Sequence, residues 1–139
     1  DVDVHLATMG PRPSAAQRAE AAAADVPLHE SDLALEWMDE PWDDVARAGD
    51  WLLALERELA PDVVHLNGYA HGALPWRAPA VVVAHSCVLS WWRAVNGVDA
   101  PPAWARYRDA VARGLAGAAG VVAPTRAMLD AVVEHYGPV

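Results

Sequence analysis

Lysine is missing from this sequence, and cysteine occurs only once. All ten basic residues are arginine, which excludes a Walker A lysine, a Schiff-base lysine and a lysine general base within these 139 residues. Cys87 is the single cysteine, so an intramolecular disulfide and a zinc finger built from cysteines are excluded as well. A lone cysteine is typical of a reducing compartment, and we expect a cytoplasmic protein.

Positive charge and long apolar runs are also scarce. The 10 basic residues stand against 19 acidic ones, which gives a formal net charge of −9 and a pI of about 4.9. Binding to nucleic acid requires clustered cations that neutralise phosphates, so we expect no nucleic-acid partner. No stretch approaches the roughly 18 apolar residues of a membrane span. The first four residues, DVDV, also lack the basic and apolar regions of a signal peptide.

The composition and the order of elements describe a folded domain. Hydrophobic residues make up 54% of the chain and charged residues 21%, which is the balance of a globular protein. The length is that of one domain, which we assign to residues 1–139. Because the chain opens in a predicted strand and stops directly after a predicted helix, we expect a fragment that is truncated at both ends.

Predicted strands alternate with predicted helices along the chain. Short apolar runs predict strands at residues 2–6, 26–29, 62–66, 80–84 and 120–123. Apolar residues at helical spacing, capping residues and prolines predict helices at residues 14–25, 41–59, 69–77, 102–115 and 125–136. Ser14 followed by Gln17 has the spacing of a capping box. This alternation predicts an α/β fold with a Rossmann-like, doubly wound and mostly parallel sheet.

Polar side chains follow two of the predicted strands. Ligands of such sheets bind beyond the carboxyl ends of the strands. His85 and Ser86 follow the run AVVVA, and Asn67, Tyr69 and His71 follow the run DVVHL. A neutral imidazole could hydrogen-bond a substrate, and amide and phenol groups can bind sugar hydroxyls or phosphate oxygens. Structural roles in turns remain an alternative for these residues.

Tryptophan is abundant, with seven residues in this small chain. Trp51 lies on the apolar side of a predicted helix and is expected in the core. Trp91 and Trp92 fall in a predicted loop just after His85. There they could form a lid or a platform for a sugar ring, or they could simply pack against the domain.

Two other kinds of chemistry remain open at the same edge. His65, His71 and His85 could together bind a metal, although their spacing matches no compact ligand motif. Cys87 could act as a nucleophile with His85 as its base. The sequence contains neither G-x-S-x-G nor G-x-G-x-x-G, so the common signatures of a serine hydrolase and of a dinucleotide site are both missing from these residues.

The order of these motifs resembles the N-terminal domain of glycosyltransferase family 4 enzymes, which have the GT-B fold. The resemblance lies in the segment PDVVHLNGYAHGALPWRAPAVVVAHS, in the tryptophan-bearing stretch that follows, and in GVVAPTRAMLDAVVEHYG. These match, in order and spacing, that family's "PDvvH" strand, its strand that ends in histidine, and its "vvapS" strand whose hydroxyl caps a helix. The resemblance covers nearly the whole chain.

This resemblance implies an enzyme that transfers a sugar from a nucleotide sugar to an acceptor, a sugar or a lipid, with retention of anomeric configuration. It places His85 in the catalytic cleft near the transferred sugar. It implies substrate-binding roles for residues around that histidine: Asn67, Gly68, Tyr69, His71, Ser86 and Trp91. The donor would bind to a C-terminal domain that is absent from this sequence, so this part alone is expected to be inactive. No cofactor or metal is implied.

A different class of function also fits the sequence. A Rossmann-like module that binds a nucleotide or a phosphorylated ligand without turnover would need the same sheet edge. A metal-dependent hydrolase that uses the histidines is a third interpretation.

Overall fold

The computed structural model describes residues 2–138, which divide into two compact units. The first unit extends to Leu52, and the second begins at Leu53. Every strand pair in the described chain is parallel, and helices connect successive strands. The predicted Rossmann-like α/β fold class is therefore confirmed, with the strands divided between a two-stranded and a three-stranded sheet.

The first unit is built around the two-stranded sheet. Strand β1 (Leu6–Thr8) pairs with β2 (Leu28–Glu30), and helix α1 (Ala15–Ala23) connects them. The Ser14 hydroxyl accepts a hydrogen bond from the Gln17 backbone N–H at 3.2 Å, and the Gln17 side chain accepts one from the Ser14 N–H at 2.8 Å. The predicted capping box is thus confirmed.

The first strand is shorter than predicted and begins only at Leu6. Leu6 is in register with Leu28, so the residue before Leu6 faces Pro27. Because proline has no N–H, the ladder cannot extend further toward the N-terminus. Val2 and Val4, which the sequence placed in this strand, are exposed.

Helix α2 (Trp42–Leu59) has the bounds expected from its apolar spacing and from Pro41, which directly precedes it. It extends from the end of the first unit into the second. Trp51, expected in the core, is half-buried. No helix formed by residues 2–138 combines the length and the apolar character that crossing a membrane requires.

The second unit contains the three-stranded sheet, in the order β3 (Val64–Leu66), β4 (Ala80–Val83) and β5 (Gly120–Val122). The central strand β4 carries the fully buried Val82. Glu56, a buried residue of α2, accepts hydrogen bonds from two backbone N–H groups just before β4, at 2.6 and 2.9 Å. This carboxylate therefore anchors the segment that leads into the central strand.

The remaining helices of this unit follow the strands. They are a short 3₁₀ helix at Ala70–Ala73, α3 (Val88–Asn96), a 3₁₀ turn at Pro102–Trp104, α4 (Ala105–Gly117) and α5 (Arg126–Tyr136). The hydroxyl of Thr125 caps α5 by accepting a hydrogen bond from the Met128 N–H at 3.2 Å, as expected. The fold thus brings the ends of β3 and β4 to one edge of the same sheet.

One prediction is wrong at this edge, because the stretch expected to be a loop is helix α3. The Cys87 side chain occupies the N-cap and accepts a hydrogen bond from the Ser90 N–H at 3.4 Å. Gly97 ends the helix with a φ of 70°, in the left-handed region where glycine is favoured. A thiol is an uncommon cap, so the usual start signal of serine, threonine, aspartate or asparagine was missing.

Candidate active site

The predicted site residues His85 and Asn67 lie side by side at the ends of neighbouring strands. Leu66 in β3 pairs with Val82 in β4, so the residues that follow these strands emerge together. Nε2 of His85 lies 3.2 Å from Oδ1 of Asn67, and both side chains are exposed. An amide oxygen only accepts, so this hydrogen bond requires a proton on Nε2. In the neutral ring the lone pair is then on Nδ1, which is available to a ligand.

Tyr69 connects the same two strand ends from inside the unit. It is only 3% exposed, and its hydroxyl donates a hydrogen bond to the backbone carbonyl of Ser86 at 2.8 Å. Tyr69 therefore holds the loop after β3 against the end of β4. The Ser86 side chain, by contrast, is exposed beside His85.

The rest of the loop after β3 is held by the 3₁₀ helix. Gly68 is half-buried next to Asn67, and His71 is buried within the 3₁₀ helix. The indole N–H of Trp76 donates to the His71 carbonyl at 2.8 Å. The loop that carries four of the predicted site residues is thus folded on itself.

Glycines allow this loop to lie directly on α4. A Cβ atom added at Gly114 would be 1.8 Å from the carbonyl oxygen of Tyr69, and one added at Gly72 would be 2.3 Å from the carbonyl oxygen of Gly114. A Cβ at Gly117 would be 2.9 Å from the Gly72 carbonyl oxygen. The backbone of the loop after β3 therefore contacts the backbone of α4 directly, and a residue larger than glycine at these positions would prevent this contact. The position of Tyr69 therefore depends on Gly114, which no sequence motif singled out.

The two adjacent tryptophans of α3 have different surroundings. Trp91, in the first turn, is 56% exposed. Trp92 packs against Trp104 with ring centroids 6.4 Å apart, and Trp104 meets Tyr107 edge-on at 5.7 Å. Of this pair, Trp91 is the exposed one, and it lies on a helix and not in the predicted loop.

Tyr107 also positions the start of α3. Its buried hydroxyl accepts a hydrogen bond from the Val88 N–H at 3.2 Å, in the first turn of the helix. The Cys87 thiol is buried and donates to the Ser90 hydroxyl at 3.2 Å. A buried thiol committed to a helix cap has the surroundings of a structural cysteine, which weakens the interpretation of Cys87 as a nucleophile.

Tyr136 of α5 adds a third phenol to this region. Its hydroxyl is buried beside the Cys87 thiol, to which it makes no well-formed hydrogen bond. Burial raises the pKa of this phenol far above its ordinary range, and the neighbouring Cys87, Tyr107 and Tyr69 raise the pKa further.

The histidines expected to share this edge differ in exposure. His65 and His85 are exposed, whereas His71 is buried. Within residues 2–138, no group of three or more His, Cys, Asp or Glu side chains is arranged to hold a metal ion. The chemistry that the geometry offers at the edge is hydrogen bonding by imidazole and amide groups.

Comparison with known proteins gives one match. The family model described as Glycosyltransferase Family 4 matches residues 1–139. Searches of curated proteins and of solved structures returned no match.

Proposed function

This chain belongs to glycosyltransferase family 4, and we propose that it is the acceptor-side, N-terminal domain of an enzyme that transfers a sugar from a nucleotide sugar to an acceptor hydroxyl with retention. A glycosyltransferase has a sugar donor and an acceptor as its substrates. The observation that carries the assignment of the site is the contact between His85 and Asn67 at the ends of β3 and β4. An open sheet of this type binds ligands at that edge.

Each side chain at the edge has a role in this proposal. His85 faces the transferred sugar, and Asn67 holds its ring with the Nε2 proton toward the amide. Trp91 offers an indole face on which an acceptor ring can stack. The exposed Ser86 and the half-buried Gly68 complete acceptor binding, and the buried Tyr69 and His71 shape the loop that carries Asn67. Tyr69 acts through its position, since its hydroxyl is bonded to the Ser86 carbonyl.

The charge of the chain supports a division of labour between two domains. Departure of a nucleoside diphosphate is favoured by cations and helix N-termini that stabilise its negative charge. A chain with a net charge of −9 and no lysine is poorly suited to supply those cations. We therefore assign donor binding to a C-terminal domain of the same enzyme, which would close over this one before reaction. A cytoplasmic location belongs to the same proposal.

The test uses the enzyme that contains this chain together with its donor domain. UDP-, GDP- and ADP-sugars are screened for nucleotide release, and the anomeric configuration of the product is read by NMR. His85→Ala should lower kcat by more than about tenfold, or about 1.4 kcal/mol of transition-state stabilisation. His135→Ala is the matched control, because His135 lies on α5 outside the proposed site. It should retain activity within about twofold.

Two results would overturn the proposal in different ways. If His85→Ala is as active as His135→Ala, His85 does not belong to the cleft. If no sugar nucleotide is turned over and the protein still binds a nucleotide or phosphorylated ligand, the domain is a binding module and not a transferase. A product of inverted anomeric configuration would contradict only the proposed retention and would leave the proposed sugar transfer intact.

A further inference from the structure

Two histidines meet on the sheet of the first unit, outside the residues assigned to sugar transfer. His5 directly precedes β1, and His29 lies in the middle of β2, in register with Ala7. Alternate residues of a strand share a face, so His5 and Ala7 are on the same side of the sheet as His29. Nδ1 of His5 lies 3.0 Å from Nε2 of His29, and the two rings stack with centroids 5.3 Å apart.

The two nitrogens are at hydrogen-bond distance, and the same separation fits two ligands of one metal ion that displaces the shared proton. Imidazole nitrogens lie about 2.0–2.1 Å from zinc. Two such nitrogens are about 2.9 Å apart when they subtend 90° at the metal, and about 3.3 Å apart at the tetrahedral angle. The 3.0 Å between His5 and His29 falls inside this interval. The facing nitrogens are Nδ1 of His5 and Nε2 of His29.

A carboxylate lies next to the opposite nitrogen of His5. Oδ2 of Asp3 is 4.0 Å from Nε2 of His5, which is the nitrogen that does not face His29. At 4.0 Å this carboxylate makes no direct hydrogen bond to His5, but a small rotation would let it accept the second N–H, as carboxylates commonly do from metal-binding histidines. The His5 side chain is 32% exposed and that of Asp3 is 90% exposed, so an ion can reach the site from solvent.

The charges around the His5–His29 pair favour binding of a cation there. Glu30 follows His29 on the other face of β2, where both of its oxygens accept hydrogen bonds from Arg18 at 2.7 Å. That guanidinium is thereby neutralised by its own partner. The net charge of −9 favours cations over anions across the chain.

We propose that His5 and His29 together bind one divalent transition-metal ion, with Asp3 orienting His5 and water completing the coordination. Imidazole ligands suit copper, nickel and zinc, whereas magnesium and calcium prefer oxygen. Two protein ligands are fewer than the three or four of catalytic and structural zinc sites, so the affinity is modest. A bound ion would join β1 to β2 and stabilise the first unit. This site is independent of the proposed sugar transfer.

Titration of the 139-residue chain with CuCl2, NiCl2 or ZnCl2 at pH 7.5, followed by calorimetry, tests the proposal. We expect one ion per chain, with affinity in the order Cu²⁺, then Ni²⁺ and Zn²⁺, and no saturable binding of Mg²⁺. His5→Ala and His29→Ala should each weaken binding by about tenfold or more, and Asp3→Asn by about tenfold. His65→Ala, an exposed histidine on β3 of the second unit, is the matched control and should bind like the unmodified chain.

Thermal unfolding provides a second measurement, because an ion that binds only the folded state raises Tm. Circular dichroism without metal first establishes that each variant folds. Zn²⁺ should raise the Tm of the unmodified chain and of His65→Ala, and at the same Zn²⁺ concentration should raise the Tm of His5→Ala and His29→Ala by clearly less. The proposal is overturned if the folded His5 and His29 variants bind as tightly as the unmodified chain, if the loss follows His65→Ala instead, or if Mg²⁺ binds as well as Zn²⁺.

Discussion

The amide oxygen of Asn67 lies 3.2 Å from Nε2 of His85, although 18 residues separate the two in sequence. Parallel pairing of β3 with β4 produces this contact, because it aligns the ends of both strands. The amide selects the tautomer of the imidazole that carries its proton on Nε2. This one hydrogen bond therefore decides which nitrogen of His85 a substrate meets.

Removal of the amide should change the tautomer of His85. In Asn67→Ala, we expect the ¹⁵N NMR spectrum of the His85 ring to show a mixture of the two neutral tautomers, where the unmodified chain shows mainly Nε2–H. The kcat of the enzyme should fall by about tenfold, because the imidazole stays misoriented after the substrate has bound. An unchanged tautomer population in Asn67→Ala would remove Asn67 as a positioning residue, and Asn96→Ala on α3 serves as the control.

A methyl group at Gly114 should displace the loop that carries the site. Within a helix, a glycine-to-alanine change ordinarily stabilises by about 1 kcal/mol. At Gly114 the added Cβ would lie 1.8 Å from the Tyr69 carbonyl oxygen, so we expect the free energy of unfolding to fall by about 2 kcal/mol or more. Urea unfolding measures this change. Gly120→Ala is the control, because its Cβ meets no atom within 4 Å; equal effects at the two glycines would contradict the close approach.

Tyr136 and Tyr107, two phenols near α3 with buried hydroxyls, should respond differently to loss of those hydroxyls. Tyr136→Phe removes a buried hydroxyl that makes no well-formed hydrogen bond to the neighbouring Cys87 thiol, so the free energy of unfolding should rise by about 1 kcal/mol. Tyr107→Phe removes the acceptor of the Val88 N–H and should lower it by about 1 kcal/mol. Denaturant titrations of both variants give the comparison. Destabilisation by Tyr136→Phe would mean that its hydroxyl has a partner after all.

Because of the ion pair between Arg18 of α1 and Glu30 of β2, the free energy of unfolding should vary with pH in the acidic range. Hydrogen bonds from the Arg18 guanidinium lower the pKa of Glu30 below its ordinary value of about 4.3. When folding lowers the pKa of a carboxyl group, that group stabilises the folded state at every pH above the pKa that it has in the unfolded chain. That contribution is lost as the pH falls through the lower pKa of the folded state.

We therefore expect Glu30→Gln to be less stable than the unmodified chain at pH 6, with the difference shrinking below about pH 4.3. Arg18→Gln should show the same convergence, since it removes the other half of the pair. Free energies of unfolding measured from pH 6 to pH 3 provide the test. A difference that stays constant over this interval would show that Glu30 titrates alike in the folded and unfolded chain.

Local signals were sufficient for many elements. The capping box at Ser14 and Gln17, the start of α2 after Pro41 and the cap of α5 at Thr125 each depend on residues within one helical turn. The valine run of β4 and the alternation of strands and helices predicted the parallel α/β fold and its candidate edge. Such features can be predicted from the sequence because the interactions that stabilise them join residues that are close in sequence.

Contacts between distant segments could not be read in this way. The hydrogen bond between Asn67 and His85 depends on strand register. The position of Tyr69 depends on Gly114 of α4. The start of α3 depends on hydrogen bonds to Cys87 and Tyr107. The meeting of His5 with His29 likewise required the pairing of β1 with β2. The sequence by itself determined most of the segments that become helix or strand, α3 excepted, and where polar groups follow the strands. Only the tertiary structure decided which of those groups meet, because long-range packing and register set distances that no local pattern encodes.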